Sequence, residues 1–283
     1  MSTSTSTSSP SHLSPLKSLP HIHLLMMDQK FQTAFTSAFP KNWPSYPTES
    51  DITTPPPPIP ITIHSTPLKY LSPNLTFDLI VSPANSYGRL DGAFDDAISR
   101  AFCLPDHQYD TLTRAAQGVL YEKYRGFAPP GSCTLVPFPE EMLKTGNDDG
   151  NESVVGGRWG CKWVALCPTM RTPDSARWDR EVVYECVWSL LCAVEGWNRA
   201  LEAPSGTAGL AEEKDRALGR IESVLITPMA TGCGGVSPEK WAAQFVLAMR
   251  HFVDAVERPE RWRGLGWGEI YADTEGVVQT WKM

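Results

Sequence analysis

Residues 77–98 read Phe77-Asp78-Leu79-Ile80-Val81-Ser82-Pro83-Ala84-Asn85-Ser86-Tyr87-Gly88-Arg89-Leu90-Asp91-Gly92-Ala93-Phe94-Asp95-Asp96-Ala97-Ile98. The apolar run through Val81 has the length of a strand and no polar alternation, the pattern of a strand buried on both faces. Residues 82–91 are small and polar, a loop composition. From there Ala93, Phe94, Ala97, Ile98, Ala101 and Phe102 recur at helical spacing. Strand, loop, helix is the unit from which parallel sheets are built.

The same alternation runs outward in both directions. Residues 21–27 predict a strand, and Asp28 is placed to cap a helix over 29–39 whose apolar stripe is Phe31, Ala34, Phe35, Ala38 and Phe39, ended by Pro40. Residues 61–64 alternate as a strand. Helices are expected at 111–124, 179–195 and 238–256, the last opened by Pro238 in its first turn. Strands are expected at 133–137, 163–167 and 223–227. Residues 51–60 form a proline-rich connector with Pro55 to Pro58 consecutive. Residues 1–20, mostly Ser, Thr and Pro, are too poor in apolar side chains to offset chain entropy and read as a disordered tail. The expected organisation is that tail, then one domain over 21–283 with its core at 61–256 and polar insertions near 139–160 and 203–216.

The chain has 283 residues with 41% hydrophobic and 20% charged residues, enough to bury a core. Its net charge of −7 argues against a whole-chain hold on nucleic acid or anionic lipid, which relies on Lys and Arg neutralising phosphates. Apolar runs stay far below the roughly 20 residues that span a bilayer, and the first residues lack a secretory pattern. An intracellular protein, cytoplasmic or nuclear, is expected, with its seven cysteines reduced and buried. There is no P-loop, dinucleotide fingerprint or metal-ligand spacing, so neither a cofactor nor a metal is expected.

Ligands of such sheets settle where strand ends meet helix N-termini. Two loops suit an anion there. One is the 82–92 loop, which feeds amides and a helix dipole toward its mouth. The other, residues 227–236, reads Thr-Pro-Met-Ala-Thr-Gly-Cys-Gly-Gly-Val, and its glycines permit the positive φ angles that turn successive N–H groups inward. Two such loops side by side suit a diphosphate. Asn85 is either a ligand contact or a cap bonding its own loop, and Asp95 is either a water-orienting acid or a first-turn acid favoured by the helix dipole.

Residues 81–98 resemble the signature of the macro domain family, a buried strand followed by an Asn-Ala-Ala-Asn-like turn, glycines and a helix. Residues 227–236 resemble that family's Ser-Thr-Gly-x-x-Gly phosphate loop, and the likeness covers about residues 61–256. It implies a three-layer α/β/α fold with a mixed, mostly parallel central sheet. It also implies a ligand, ADP-ribose or a derivative, with an ADP-ribosylated protein as a further partner. The activity implied is binding, with hydrolysis of ADP-ribose 1''-phosphate or of mono-ADP-ribosyl-protein linkages; the alternatives are a non-catalytic reader and a scaffold that has lost the ligand. The implied ligand contacts are Ser82, Ala84, Asn85, Gly92, Ala93 and Phe94 in the first loop. In the second they are Ala230, Thr231, Gly232, Cys233, Gly234, Gly235 and Val236. Asp95 and Asn85 take the catalytic positions. Ser82 stands where the family has an asparagine, and Ser65-Thr66 where it has an acid for the adenine amine. Asp28 is available as the substitute.

Overall fold

The computed structural model describes residues 19–45, 57–103, 108–143, 158–202 and 213–283. In chain order the elements are β1 (His21–Leu25), α1 (Gln29–Asn42), β2 (Ile61–His64), β3 (Leu79–Ser82), α2 (Ala93–Phe102), α3 (Thr111–Tyr124), β4 (Thr134–Pro137) and α4 (Glu140–Leu143). There follow β5 (Trp163–Leu166), α5 (Val182–Glu202), α6 (Glu213–Arg216), β6 (Ser223–Ile226), α7 (Pro238–Glu257), α8 (Pro259–Arg263) and α9 (Trp267–Gln279).

The six strands form one sheet in the order β2-β1-β6-β3-β5-β4. All pairings are parallel except β4 with β5. The central strands β3 and β5 are buried at every position, as expected of strands covered on both faces. β4 instead alternates buried and half-buried residues, and Pro137 sits on this edge, where a missing N–H costs no ladder bond. α7 packs against both α1 and α5, while α2 leans on β3 and α3 on β4. The β1-to-β2 and β5-to-β6 crossovers step in one direction along the sheet and the β3-to-β4 connection steps in the other. Right-handed crossing in the parallel β1-to-β2 and β5-to-β6 connections puts α1 and α5 on one face, where α7 packs against both, and α2 and α3 cover the other side of the sheet. The result is a three-layer α/β/α fold with a mixed, mostly parallel sheet.

Several expectations change. Pro40 does not end α1: the helix runs two residues further, because a proline in the last turn loses only one backbone bond and Trp43 N–H closes on Phe39 O at 2.7 Å. α5 starts later than expected, since Asp179 Oδ1 accepts from Glu181 N–H at 2.9 Å in a local turn, and Arg180 O is taken by Gln244 Nε2 at 2.7 Å. It also runs on to Glu202, its extension held by Trp197 against Trp163 and by Asn198 bonding both the N–H and the C=O of Ile221. α8 and α9 lie beyond the expected elements. Cys192 and Cys233 are exposed and Cys103 is half-buried rather than buried, and no disulfide joins any of the seven cysteines. The tail to residue 18, most of the proline connector and most of both insertions lie outside the described residues. No described helix is long and apolar enough to cross a membrane.

Candidate functional site

Because β1, β6, β3 and β5 run parallel, the segments that leave them emerge at one end of the sheet. Strand order sets their positions: Asp28 after β1, then loop 227–237 after β6, loop 83–92 after β3 and loop 167–181 after β5.

Loop 83–92 is folded around Asn85. Its Nδ2 donates to Arg89 O at 2.8 Å, and its Oδ1 accepts from the N–H groups of Tyr87 at 3.1 Å and Arg89 at 3.3 Å. The side chain is thus used as a loop cap. Gly88 lies at φ +65°, where an added Cβ would stand 2.9 Å from Leu120 Cδ1. Leu90, fully buried, is anchored through its N–H to Thr113 Oγ1 and through its C=O to Ser99 Oγ. Arg89 pairs with Asp91. Gly92 and Ala93 are exposed at the helix entry, and Ala93 has a left-handed φ of 49°, unusual for a residue with a Cβ. Gly92 O accepts from Asp95 and Asp96 N–H. The amides of Ala93 and Phe94 have no acceptor among the described residues.

Ser82 and Ala84 are buried, as is Asp95, which is 6% exposed. The Ser82 hydroxyl donates to Asp95 Oδ1 at 2.7 Å. Burial pushes the Asp95 carboxyl up to about 7, with the Asp91 charge adding to the rise and the Ser82 hydrogen bond opposing it. Asp95 therefore lies beneath the loop and ties the end of β3 to the first turn of α2.

Loop 227–237 is a tight arc. Val236 N–H bonds Ala230 O at 3.0 Å and Gly235 N–H bonds Gly232 O at 3.1 Å. A Cβ on Gly234 would stand 2.4 Å from Ala230 O, so only glycine fits. Ala230 and Gly235 take φ of 59° and 69°. Thr231 Oγ1 donates to Pro228 O, Cys233 Sγ lies 3.6 Å from Met170 Sδ, and Ser237 caps α7 through Lys240 N–H. The consecutive amides of Thr231, Gly232, Cys233 and Gly234 have no acceptor among the described residues. Thr231 is half-buried and Gly232 and Cys233 are exposed, so most of these N–H groups are accessible, and successive backbone N–H groups in such a turn form a concavity suited to negative charge.

The third wall, loop 167–181, was not singled out from the sequence. Met170 bridges to Asn85 as a short parallel pair, Ser86 N–H bonds Met170 O at 3.0 Å, Thr169 N–H bonds Ala84 O at 3.0 Å, and Ala176 N–H bonds Gly234 O at 2.9 Å. This one segment is therefore stitched to both amide loops. It encloses a cleft of about 400 Å³ lined by Met170, Arg171, Thr172, Asp174, Ser175 and Trp178. The signal that could have found it is the polar, proline-containing run after a buried strand, read by the same strand-end rule applied to the other two loops.

Asp28 caps α1, its Oδ1 accepting from Lys30 N–H at 3.0 Å, and remains exposed at the rim; Lys30 holds its carboxyl below the usual range. Tyr87, the other aromatic at this end, packs edge-on against Phe127. Among the described residues no group of His, Cys, Asp and Glu side chains is arranged to hold a metal ion. A larger apolar groove of about 840 Å³ runs along β4 between α3 and α5 and shares no residue with the loop end.

An α/β protein with its open mouth at the carboxyl edge of a parallel sheet is the class defined by this arrangement. No protein-family model matches the sequence, and no curated protein does. Among solved structures the chain is similar to the Oceanobacillus iheyensis macrodomain with MES bound, at 14% identity over 64% of this chain and 73% of that one, with a TM-score of 0.40. It is also similar to the Oceanobacillus iheyensis macrodomain with ADP, at 13% identity over 64% of this chain and 87% of that one, with a TM-score of 0.32.

Proposed function

We propose that this protein binds ADP-ribose. The observation that carries the reading is the pair of unpaired amide sets, residues 231–234 in one loop and Ala93 and Phe94 in the other, at the ends of β6 and β3, which are adjacent in the sheet. A diphosphate between them accepts from both sets and from the dipole at the start of α2. The adenosine end then extends toward Asp28 and the distal ribose toward loop 167–181. Asn85 shapes the ribose end by holding its loop, with contact to the ligand left to Nδ2 and the backbone.

Calorimetry with ADP-ribose and AMP tests this. ADP-ribose is expected to bind with a micromolar constant, about 8 kcal/mol, and AMP much more weakly, because it lacks the second phosphate and the distal ribose. No heat at millimolar ADP-ribose would end the reading in favour of a scaffold without ligand.

Hydrolysis is the second reading, supported by the place of the Asp95 carboxyl in the first turn of α2, bonded to Ser82 Oγ at the end of β3 and pushed by burial up to about 7, into the range where an acid-base group is most effective. Its burial argues for action through Ser82 or through a shift of the loop. Release of phosphate from ADP-ribose 1''-phosphate, or of ADP-ribose from a modified protein, tests it. Tight binding without turnover leaves a reader.

A further inference from the structure

A separate pocket of about 470 Å³ lies between the start of α5, α8 and the loop that leads into β4, and it shares no residue with the two amide loops. Part of its lining is a row of half-buried rings. Tyr184 and Trp188, one turn apart on α5, stack at 20° with centroids 6.2 Å apart, and Trp188 lies 5.3 Å from Trp262 of α8. Beside them is a carboxylate. Glu185 lies over Gly131, whose φ of 82° and missing Cβ make the room, since an added Cβ there would collide with Glu185 Oε2.

The hydroxyl groups of this lining are already engaged. Ser189 Oγ donates to Gly131 O at 2.7 Å, Ser132 Oγ donates to Pro129 O at 2.6 Å, and the Tyr184 hydroxyl is bonded to His251 Nδ1 at 3.0 Å. Trp262 Nε1 donates to Asp254 Oδ2 at 2.7 Å. The Glu185 carboxylate, by contrast, has neither a hydrogen bond nor an ion pair among the described residues. Partial burial and the charges of Asp179 and Glu181 push it up to about 6, as happens to an acid with acidic neighbours and no cation beside it. Arg261 stands over the Trp262 ring at 5.5 Å but is held by Asp254 and Asp273, and His251, pushed down to about 4 by burial, is uncharged at neutral pH. The pocket therefore presents ring faces and one uncompensated negative charge, with little else to accept a hydrogen bond. Through Ser132, Trp188 and Ser189 it continues into the apolar groove of about 840 Å³ along β4.

We infer that this pocket receives an N-methylated ammonium, the end of a trimethylated lysine side chain in a partner polypeptide. The faces of tryptophan and tyrosine rings attract a cation, and the Glu185 carboxylate adds its charge to theirs. A plain lysine ammonium is strongly hydrated and carries three donors, which this lining cannot satisfy in place of water. Methylation keeps the charge, removes the donors and puts apolar surface against the rings. The adjoining groove takes apolar residues on either side of the lysine, which is why a polypeptide fits better than a free quaternary ammonium. The site is apart from the amide loops and does not rest on the ADP-ribose reading.

The test uses the blocked peptide Ala-Val-trimethyllysine-Val-Ala, the same peptide with plain lysine, and a third with an uncharged tert-butyl group in place of the trimethylammonium. Binding is followed by calorimetry and by tryptophan fluorescence. The trimethylated peptide is expected to bind tighter than both others by roughly tenfold, the lysine form measuring hydration and the tert-butyl form measuring charge. Glu185→Gln should weaken it severalfold and Glu185→Lys should abolish it, with ADP-ribose affinity unchanged in both. Trp262→Leu should remove the preference over the tert-butyl peptide; should that variant fail to fold, the exposed Glu185 carries the test by itself. Equal binding of the three peptides overturns the inference, as does a preference that survives Glu185→Lys. Choline bound as tightly as the trimethylated peptide overturns it too, because the groove would then contribute nothing.

Discussion

Ser82, the last residue of β3, donates its hydroxyl to the carboxylate of Asp95 in the first turn of α2 at 2.7 Å, and both side chains are buried. The loop between them is therefore closed at its base by a polar pair under the ligand mouth. Removing Asp95 tests this lock through pH. Its folded carboxyl is raised from 3.8 to about 7, so between those values the folded state holds a proton that the unfolded chain has released. The associated stability is full below about pH 4 and is lost as pH rises through 7. Asp95→Asn should therefore gain on the wild type between pH 5 and pH 8, by about 3 kcal/mol from the linkage relation over the two pH units up to 7. Chemical denaturation at both pH values reads it, and a difference that does not change with pH would place the Asp95 proton elsewhere.

Two glycines of one loop should separate stability from binding. Nothing stands within 4 Å of a Cβ on Gly232, whereas one on Gly234 meets Ala230 O. Gly232→Glu should keep the melting temperature within a few degrees while abolishing ADP-ribose binding, because its carboxylate faces the phosphates. Gly234→Ala should lower stability by about 1–3 kcal/mol as well as affinity. Normal ADP-ribose affinity in Gly232→Glu would show that the diphosphate does not lie along residues 231–234.

Thr169, at the root of the third wall, has a fully buried hydroxyl with no hydrogen-bond partner among the described residues, while its N–H is held by Ala84 O. A buried unpaired hydroxyl costs about 1–3 kcal/mol, and a methyl of the same shape does not. Thr169→Val should raise the urea midpoint without altering the slope. A lower midpoint would mean that the hydroxyl is satisfied in solution.

The C-terminal segment is expected to support the mouth from behind. Trp281 Nε1 donates to Glu181 Oε1 at 2.8 Å, Arg180 lies over its ring, and Thr280 Oγ1 accepts from Gln244 Nε2 at 2.8 Å. These contacts hold the residues that join loop 167–181 to α5. Trp281→Ala should cost about 1–2 kcal/mol and speed hydrogen exchange in residues 176–184 more than in β3. Uniform acceleration across the fold would point to a general loss of packing instead.

Where the reading of residues depended on neighbours along the chain, it anticipated the molecule well. The apolar run ending at Val81, the helical spacing from Ala93 to Phe102 and the limits of α3 at Thr111 and Tyr124 are local periodicities, and they recur in the structure within a residue or two. Of the glycines at 232, 234 and 235 only Gly235 takes a positive φ, the other left-handed residue of the loop being Ala230, while Gly234 is needed for the close approach of Ala230 O. Other features depended on residues far apart in sequence. β4 turns antiparallel through its register with β5, from Thr134 against Leu166 to Pro137 against Trp163. Asp95 became a buried partner of Ser82 rather than a group at the mouth, and Asn85 turned its side chain back on its own loop. Met170 carried no motif, and it meets Asn85 and Ser86 because β5 lies beside β3 in the sheet. Side-chain periodicity is written locally, whereas burial, charge pairing and the meeting of loops arise from strand order, which is settled by packing between segments that the chain keeps far apart.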